Sequence, residues 1–384
     1  APQVAKTIQL IAESKRPVII YGAGARHARA ELIQFIETIG IPCLPSWAAL
    51  DLIPHNHPLY VSTFGVYGHR AGNFTVQNAD LIIAIGTRLD TRMTGKGFAP
   101  NAKKVIVDID IHEAMKNKPN VVIIVDALDF LLVMYEKLLT RTLVTRFNSW
   151  CFWMKRINAW KQKYPMVIPT DVELIQPLNF VDKLCDALPD DAIVVADSGA
   201  NLAWVHQAFG IRGTQRLFSA YGYSPMGYAL PAAIGAHYAT GKPIVCVCGD
   251  GSMQINIQEL QTLRHYNIPV KVFVMNNEGY GIIRQFQEEL FEGRYEATDE
   301  DHGYSVPDFQ RVAEAYRIPN IRVSSMSDDM DWMIKTALES SGPFVCDVEI
   351  DPDARIFPKV QFGNSLENQS PLLPPEELAE NMKR

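Results

Sequence analysis

The chain has 384 residues, of which 47% are hydrophobic and 21% are charged. These proportions are typical of a folded globular protein, so they argue against disorder, collagen-like repeats and coiled coil. At about 150 residues per domain, the length predicts two or three domains. The net charge of -7 arises from dispersed acidic residues, and it argues against a nucleic-acid partner.

The apolar runs are short. The segments 79–85 and 243–248 fall well below the roughly 18 residues that a membrane span requires, so no membrane partner is expected. The N-terminus shows no basic segment followed by an apolar core, which is the pattern of a secretory signal. Cys246 and Cys248 would point to one face of a buried strand as core residues. Together these features predict a cytoplasmic protein.

The first third of the chain alternates strand-like and helix-like patterns, which is typical of a parallel α/β sheet. Strands are predicted at 16–21, 81–85, 105–109 and 121–125. Helices are predicted at 4–12, 30–39 and 126–139. The stretch between 140 and 170 is rich in aromatic and basic residues and predicts a connecting helix whose tryptophans form a domain interface.

The second half resumes the alternation. Strands are predicted at 192–196, 244–248, 270–275 and 344–350, and helices at 180–188, 202–209, 226–239, 257–266, 309–316 and 330–338. The pattern therefore predicts two doubly wound parallel-sheet α/β domains. The predicted boundaries are a first domain at 1–140, a connector at 141–175, a second domain at 176–350 and a C-terminal tail at 351–384.

Two polar motifs follow neighbouring strands of the second domain. Gly249-Asp250-Gly251-Ser252 follows one buried strand and Asn276-Asn277-Glu278-Gly279 follows the next, with room for one helix and one strand between them. A right-handed crossover places the two strand ends side by side, where ligands of such sheets bind. A carboxylate and an amide oxygen suit Mg²⁺, which completes its coordination with water and phosphates. The spacing therefore predicts a cation that bridges a diphosphate.

At these motifs the chain resembles thiamine diphosphate enzymes of the acetolactate synthase (acetohydroxyacid synthase) type, and the resemblance extends over essentially all 384 residues. It is supported by the stretches 225–236, 258–260 and 86–95. The resemblance implies that the first domain is the family's middle domain and that the second binds thiamine diphosphate. It also implies that Asp250, Asn277 and the Gly279 carbonyl hold Mg²⁺.

Further cofactor contacts are implied by the same resemblance. The residues that would lie around the diphosphate are Gly251, Ser252, Tyr280, Gly281, Ile282, Gly199 and Asn201. The family usually offers Gln and His where this chain has Ala200 and Asn201. This departure concerns the detail of phosphate binding.

The middle domain holds FAD in acetolactate synthases and holds nothing in several relatives. The residues that fall where the dinucleotide would lie are Gly22, Gly24, Arg26, Gly65, Gly68, Gly86, Arg88, Asp90 and Asp108. The alternative is that these glycines merely form turns at strand ends. Both interpretations stay open from the sequence.

Three residues are expected to act in catalysis. Met226 would be the apolar wedge that bends the cofactor into a V, and the alternative is a Met that fills a core gap. Arg92 would pair with a substrate carboxylate, and the alternative is a surface salt bridge. Phe286 stands where branched-chain acetohydroxyacid synthases typically carry tryptophan, which implies a different acceptor pocket.

The implied activity is that of a thiamine diphosphate- and Mg²⁺-dependent carboligase. It would decarboxylate a 2-keto acid such as pyruvate and transfer the two-carbon unit to a second carbonyl acceptor. The alternatives are a non-ligating 2-keto-acid decarboxylase or oxidase, and a cofactor-binding fragment without turnover. The family's pyrimidine-binding domain, with its glutamate, has no counterpart in these residues. A homodimer or homotetramer whose active site is shared with such a domain is therefore expected, and this chain alone is expected to be incomplete.

Overall fold

The computed structural model describes residues 2–139, 150–170, 172–325 and 330–383. The chain divides into two units, the first comprising Ala1–Pro165 with Phe357–Arg384 and the second Met166–Ile356. Each unit contains a parallel sheet flanked by helices, which confirms the predicted fold class. Across the described ranges, none of the helices combines the length and the apolar character needed to cross a membrane.

The first unit contains a parallel sheet in the order β2-β1-β3-β4-β5. Its strands are β1 (Pro17–Tyr21), β2 (Cys43–Pro45), β3 (Leu81–Ile85), β4 (Lys103–Asp108) and β5 (Val121–Ile124). Its helices before the second unit are α1 (Pro2–Glu13), α2 (Arg29–Ile39), α3 (Arg70–Asn78), α4 (Thr91–Thr94), α5 (Ile111–Met115), α6 (Ala127–Leu139) and α7 (Cys151–Lys163). The central strands β1 and β3 are buried along their whole length, because helices cover both faces of a parallel sheet.

The second unit contains a parallel sheet in the order β10-β11-β9-β8-β6-β7. Its strands are β6 (Ile193–Ala196), β7 (Arg216–Phe218), β8 (Ile244–Gly249), β9 (Val270–Asn276), β10 (Asn320–Val323) and β11 (Phe344–Glu349). Its helices are α8 (Pro177–Ala187), α9 (Ala200–Ala208), α10 (Ala229–Thr240), α11 (Asp250–Ile255), α12 (Glu259–Tyr266), α13 (Gly281–Leu290), α14 (Phe309–Ala315) and α15 (Met330–Glu339). Strands β8 and β9 are direct neighbours, so the two polar motifs leave the sheet at the same edge.

The C-terminal segment returns to the first unit. It forms a short antiparallel pair, β12 (Lys359–Val360) and β13 (Gln369–Ser370), followed by α16 (Pro375–Asn381). Buried side chains of α3 bind its backbone: Arg70 donates to the carbonyls of Gln369 and Pro371, and Asn73 donates to that of Leu366 at 2.9 Å. Most of the predicted tail, from Phe357 onward, is thus part of the first unit.

The tryptophans of the predicted connector also belong to the first unit. Trp150, Trp153 and Trp160 are buried in its core, and the Trp153 indole donates to the carbonyl of Pro17 at 3.2 Å. The expectation that they form a domain interface is therefore replaced by a core role. Residues 140–149 and 171 of that connector lie outside the described residues.

Candidate cofactor site

The carboxyl ends of β8 and β9 place the two polar motifs in contact. Asp250 is 1% exposed, and its Oδ2 accepts hydrogen bonds from the backbone amides of Asn277 at 3.0 Å and Gly279 at 3.3 Å. Its Oδ1 accepts a hydrogen bond from the Tyr304 hydroxyl at 2.8 Å. The two motifs, which the sequence places side by side, are thus joined by direct hydrogen bonds.

The side chain of Asn277 completes a cluster of oxygen atoms. The end of its amide that faces inward lies 3.2 Å from Asp250 Oδ2 and 3.0 Å from the Gly279 carbonyl oxygen. With nitrogen in that position, the amide donates to both oxygens. With oxygen there, it stands about as far from each of the other two oxygens as neighbouring ligands of an octahedral Mg²⁺ stand from each other, which is about 2.9 Å for bonds of 2.0–2.1 Å. A rotation that exchanges the nitrogen and oxygen of the Asn277 amide therefore converts a hydrogen-bonded cluster into a set of oxygen ligands for a small cation.

The electrostatics of the site also favour a cation. Burial raises the pKa of Asp250 to about 6, although hydrogen bonds from Tyr304, Asn277 and Gly279 act in the opposite direction. A buried carboxylate with a raised pKa lacks positive charge nearby, and a divalent ion supplies it. The described residues contain no group of three or more His, Cys, Asp or Glu side chains arranged for a metal. A cation here would accordingly use one carboxylate and neutral oxygens.

Met226 lies at the same corner of the second unit. A Cβ atom built on Gly251 would be 3.1 Å from the Met226 methyl carbon and 2.3 Å from the ring of Tyr280. A side chain at position 251 would therefore force the Tyr280 ring to shift and would crowd Met226. Met226 remains 37% exposed and lies in the turn that precedes α10, since that helix begins at Ala229 rather than at 226 as predicted.

Gly199 and Asn201, two of the predicted phosphate contacts, differ in the groups that they present. Gly199 has a φ of +87° and open space around its Cβ position at the start of α9. Asn201 uses its amide nitrogen for the carbonyls of Asp197 at 3.1 Å and Val247 at 3.2 Å, which leaves a buried acceptor, Oδ1, without a described partner. An acceptor does not bind phosphate directly, so Asn201 supports the sheet edge rather than supplying a donor.

The predicted phosphate contacts around Tyr280 also differ in whether their backbone amides are already hydrogen-bonded. The backbone amide of Tyr280 donates to the Thr298 carbonyl at 2.9 Å, and that of Gly281 donates to the Gly279 carbonyl at 3.1 Å. Gly281 and Ser252 are buried, and Ile282, in the first turn of α13, is half-buried. The Tyr280 amide is thus already hydrogen-bonded, whereas its ring helps to shape the corner next to Gly251.

Several residues at this corner were not predicted from the sequence. Tyr304 packs on Tyr280 with ring centroids 4.2 Å apart, and Gln254 donates to the Tyr304 hydroxyl at 3.1 Å. Asp197 binds the backbone around Met226. The sequence pattern could have identified Asp197, because it follows a buried strand as Asp250 does. Tyr304 could not be identified in this way, because it lies in a loop with no periodic pattern.

In the first unit, the predicted dinucleotide glycines pack backbone against backbone. A Cβ on Gly22 would lie 2.1 Å from the Gly86 carbonyl oxygen, and one on Gly24 would lie 2.9 Å from Gly86 Cα. Cβ atoms on Gly65 and Gly68 would approach the backbone of Arg92 and Phe64. Close backbone packing therefore gives these positions a structural reason for glycine that is independent of a dinucleotide.

The polar candidates of the first unit have protein partners. Arg26 forms an ion pair with Asp51 at 2.9 Å and donates to the Ala48 carbonyl at 2.8 Å. Arg88 is 69% exposed in its side chain and lies 3.4 Å from Glu113. Asp90 caps α4, and Asp108 accepts a hydrogen bond from the amide of Asp110 at 2.9 Å. FAD binding at these residues stays a prediction.

Arg92 and Phe286 are the remaining residues predicted from the sequence. Arg92 lies on α4, where Asp90 accepts a hydrogen bond from its backbone amide at 3.0 Å, and its side chain is exposed. Phe286 lies on α13, five residues after Gly281, and is half-buried. The geometry of each unit leaves their roles in substrate binding as predictions.

Comparison with known proteins identifies both domains. Residues 197–348 match the C-terminal TPP binding domain of thiamine pyrophosphate enzymes, and residues 4–134 match the central domain of the same enzymes. Thiamine pyrophosphate is another name for thiamine diphosphate. The chain therefore belongs to the thiamine pyrophosphate enzymes and carries their central and C-terminal domains.

The relatives include several acetolactate synthases. The chain is 34% identical over 369 residues to the acetolactate synthase large subunit of Cyanidium caldarium, which covers 94% of this chain and 62% of the relative. It is 33% identical over 371 residues to acetolactate synthase 1, chloroplastic, of Zea mays, covering 94% and 58%. The large subunit of Parasynechococcus marenigrum is 35% identical over 368 residues, covering 94% and 58%. The chain thus spans about three fifths of the length of these relatives and is similar to acetolactate synthase in particular.

Proposed function

We propose that this chain provides the middle and cofactor-binding domains of a thiamine diphosphate- and Mg²⁺-dependent carboligase that resembles acetolactate synthase. The enzyme would decarboxylate pyruvate or a related 2-keto acid and transfer the two-carbon unit to a second carbonyl compound. The observation that carries the proposal is the convergence of Asp250, Asn277 and the Gly279 carbonyl beside Met226 and Gly251. The similarity to acetolactate synthases supports it.

The oxygen cluster supports the metal part of the proposal. Asp250, Asn277 and Gly279 would hold Mg²⁺, and phosphate oxygens and water would complete its coordination. The raised pKa of Asp250 would fall when the cation binds, because the positive charge stabilises the carboxylate. Tyr304 would keep the carboxylate in one orientation through its hydrogen bond at 2.8 Å.

The other residues of the corner would shape the cofactor and exclude water. Thiamine diphosphate, when bound, supplies the carbon nucleophile and accepts the electrons released as CO₂ leaves the 2-keto acid. Met226 would press against the cofactor from the side of Gly251, since its methyl carbon already lies over that glycine. Gly251, Ser252, Gly281 and Ile282 would surround the diphosphate.

Two further residues would act on the substrate. Arg92 would pair with the carboxylate of the 2-keto-acid acceptor, because a guanidinium binds a carboxylate through two parallel hydrogen bonds. Phe286 would line a smaller acceptor pocket than tryptophan. FAD in the middle domain and assembly into a homodimer or homotetramer, with a site shared with a pyrimidine-binding domain, belong to the same proposal.

The test is a measurement of cofactor and product together. Mass spectrometry of the denatured protein, after incubation with thiamine diphosphate and Mg²⁺ and removal of the excess, should identify the bound cofactor. The product that the full-length protein forms from pyruvate should be acetolactate or another ligated compound. Acetaldehyde or acetate alone would favour a decarboxylase or an oxidase, and absence of thiamine diphosphate binding would refute the proposal.

A further inference from the structure

The turn that carries Met226 is held by two side chains from separate parts of the second unit. Asp197, which is 1% exposed, accepts hydrogen bonds from the Gly227 amide at Oδ1 (3.1 Å) and from the Ala229 amide at Oδ2 (2.7 Å). Asn256 donates through Nδ2 to the Gly227 carbonyl at 2.6 Å. The peptide groups on both sides of Gly227 are therefore bound, and one of them is the Met226–Gly227 peptide itself.

Both holding residues are anchored in rigid elements. The Asp197 amide donates to the Val247 carbonyl of β8 at 2.9 Å, so Asp197 extends the sheet by one residue. Asn256 directly follows α11, and α11 begins with Asp250. The turn is thus connected on one side to the sheet and on the other to the helix that carries the candidate metal ligand.

The turn has no room for a side chain at Gly227. Gly227 has a φ of +80°, and a Cβ built on it would lie 2.6 Å from a side-chain carbon of Ile255 and 2.9 Å from Asn256 Nδ2. The Met226 side chain, in contrast, is 37% exposed and has three rotatable bonds. Its position therefore depends on the backbone that carries it more than on packing around its methyl group.

We propose that Asp197 and Asn256 are positioning residues that fix the Met226 turn against the metal-binding helix before the cofactor arrives. The proposal rests on the proposed function of Met226 as the wedge that bends thiamine diphosphate. The two side chains hold the turn in one position next to Gly251. Because the turn is ordered in advance, cofactor binding does not have to supply the free energy of ordering it. Loss of either one should release Met226 while the metal and diphosphate contacts stay in place.

The experiment observes Met226 directly. The protein is labelled with ¹³C in its methionine methyl groups, and the Met226 signal is assigned from the Met226→Leu variant. Asn256→Ala removes the bond to the Gly227 carbonyl. Asp197→Asn is the conservative second variant, because its single side-chain oxygen can accept from only one of the two amides. Gln258→Ala is the matched control, since Gln258 donates to Asn256 Oδ1 at 3.3 Å and no hydrogen bond from its side chain to the turn is described.

The spectra are recorded before and after thiamine diphosphate and Mg²⁺ are added, and calorimetry measures the affinity. We expect the wild-type and Gln258→Ala proteins to show one sharp Met226 signal that shifts on addition. Asn256→Ala should show a broadened or averaged signal, while its affinity for thiamine diphosphate changes by no more than about threefold. Asp197→Asn should show a Met226 signal that is broader than in the wild type and sharper than in Asn256→Ala.

The failures are distinguishable. If the cofactor binds to the wild-type protein but the Met226 signal does not shift, the wedge role of Met226 is wrong and the positioning role falls with it. If the signal shifts in the wild type and keeps the same position and width in both Asn256→Ala and Asp197→Asn, the wedge role stands and the positioning proposal is refuted.

Discussion

Replacement of Asp250 by Asn should stabilise the cofactor-free protein and weaken its response to the cofactor. At pH 7 the Asp250 carboxylate is charged although burial raises its pKa from 3.8 to about 6. A shift of two units corresponds to a destabilisation of about 3 kcal/mol, and the side chain is too buried for solvent to reduce this much. Asn keeps the hydrogen-bonding shape, because its oxygen can accept from Asn277 and Gly279 while its amide donates to Tyr304. The free energy of unfolding should therefore rise by up to about 3 kcal/mol.

The pH dependence gives the sign of this effect. The folded-state pKa of Asp250 lies above its unfolded value, so the cost is fully present above pH 6 and disappears as the pH falls towards 4. The advantage of Asp250→Asn over the wild type should therefore shrink over the same interval. The affinity for the cofactor should fall in Asp250→Asn, although its cofactor-free form becomes more stable. At a hundredfold excess over Kd, ligand stabilises the wild type by about 2.7 kcal/mol, and a tenfold loss of affinity reduces this to about 1.4 kcal/mol.

The assay is urea unfolding with hydrogen exchange of peptides that cover β8 and β9, with and without thiamine diphosphate and Mg²⁺. Asp301→Asn is the matched control, because Asp301 is exposed. An Asp250→Asn protein that keeps the full stabilisation by cofactor and metal would refute the assignment of Asp250 as a metal ligand. A fall in the stability of its cofactor-free form would refute the electrostatic part.

Three further predictions concern other parts of the chain. Burial lowers the pKa of His206 to about 3, below its unfolded value of 6.5, so its contribution to stability is present above pH 6.5 and is lost as the pH falls. His206→Leu should therefore lose about 2 kcal/mol less stability than the wild type between pH 7.5 and 5, and equal losses in urea unfolding would contradict this. Arg70→Met leaves the carbonyls of the C-terminal segment unpaired and should destabilise the first unit by about 2–3 kcal/mol, with faster proteolysis of 357–383; an unchanged cleavage rate would exclude a role in holding that segment. Arg92→Ala should impair ligation to a 2-keto-acid acceptor far more than donor decarboxylation, and Phe286→Trp should raise the preference for 2-ketobutyrate over pyruvate by about tenfold. A competition assay in the full-length enzyme measures both, and equal loss of the two steps or a strong wild-type preference for 2-ketobutyrate would show that the acceptor pocket lies elsewhere.

The sequence determined the elements whose signals are local. Buried strands of a parallel sheet are continuous apolar runs, so β1, β3, β8 and β9 were predicted to within two residues at each end. The spacing between the two polar motifs also determines that they lie side by side, because one crossover helix leaves only one arrangement of two parallel strands. The sequence pattern alone therefore places Asp250 and Asn277 at one edge of the sheet.

Only the tertiary structure decided features that depend on distant partners. Helix α3 was missed because all its residues are buried and several are polar, so it has no amphipathic pattern; its polar side chains bind a segment about 300 residues away. Arg26 pairs with Asp51, and Met226, which the sequence pattern places in a helix, lies in a turn held by Asp197 and Asn256. Sequence patterns report the burial and periodicity of neighbouring residues, whereas the partner of a buried polar group is chosen by the fold as a whole.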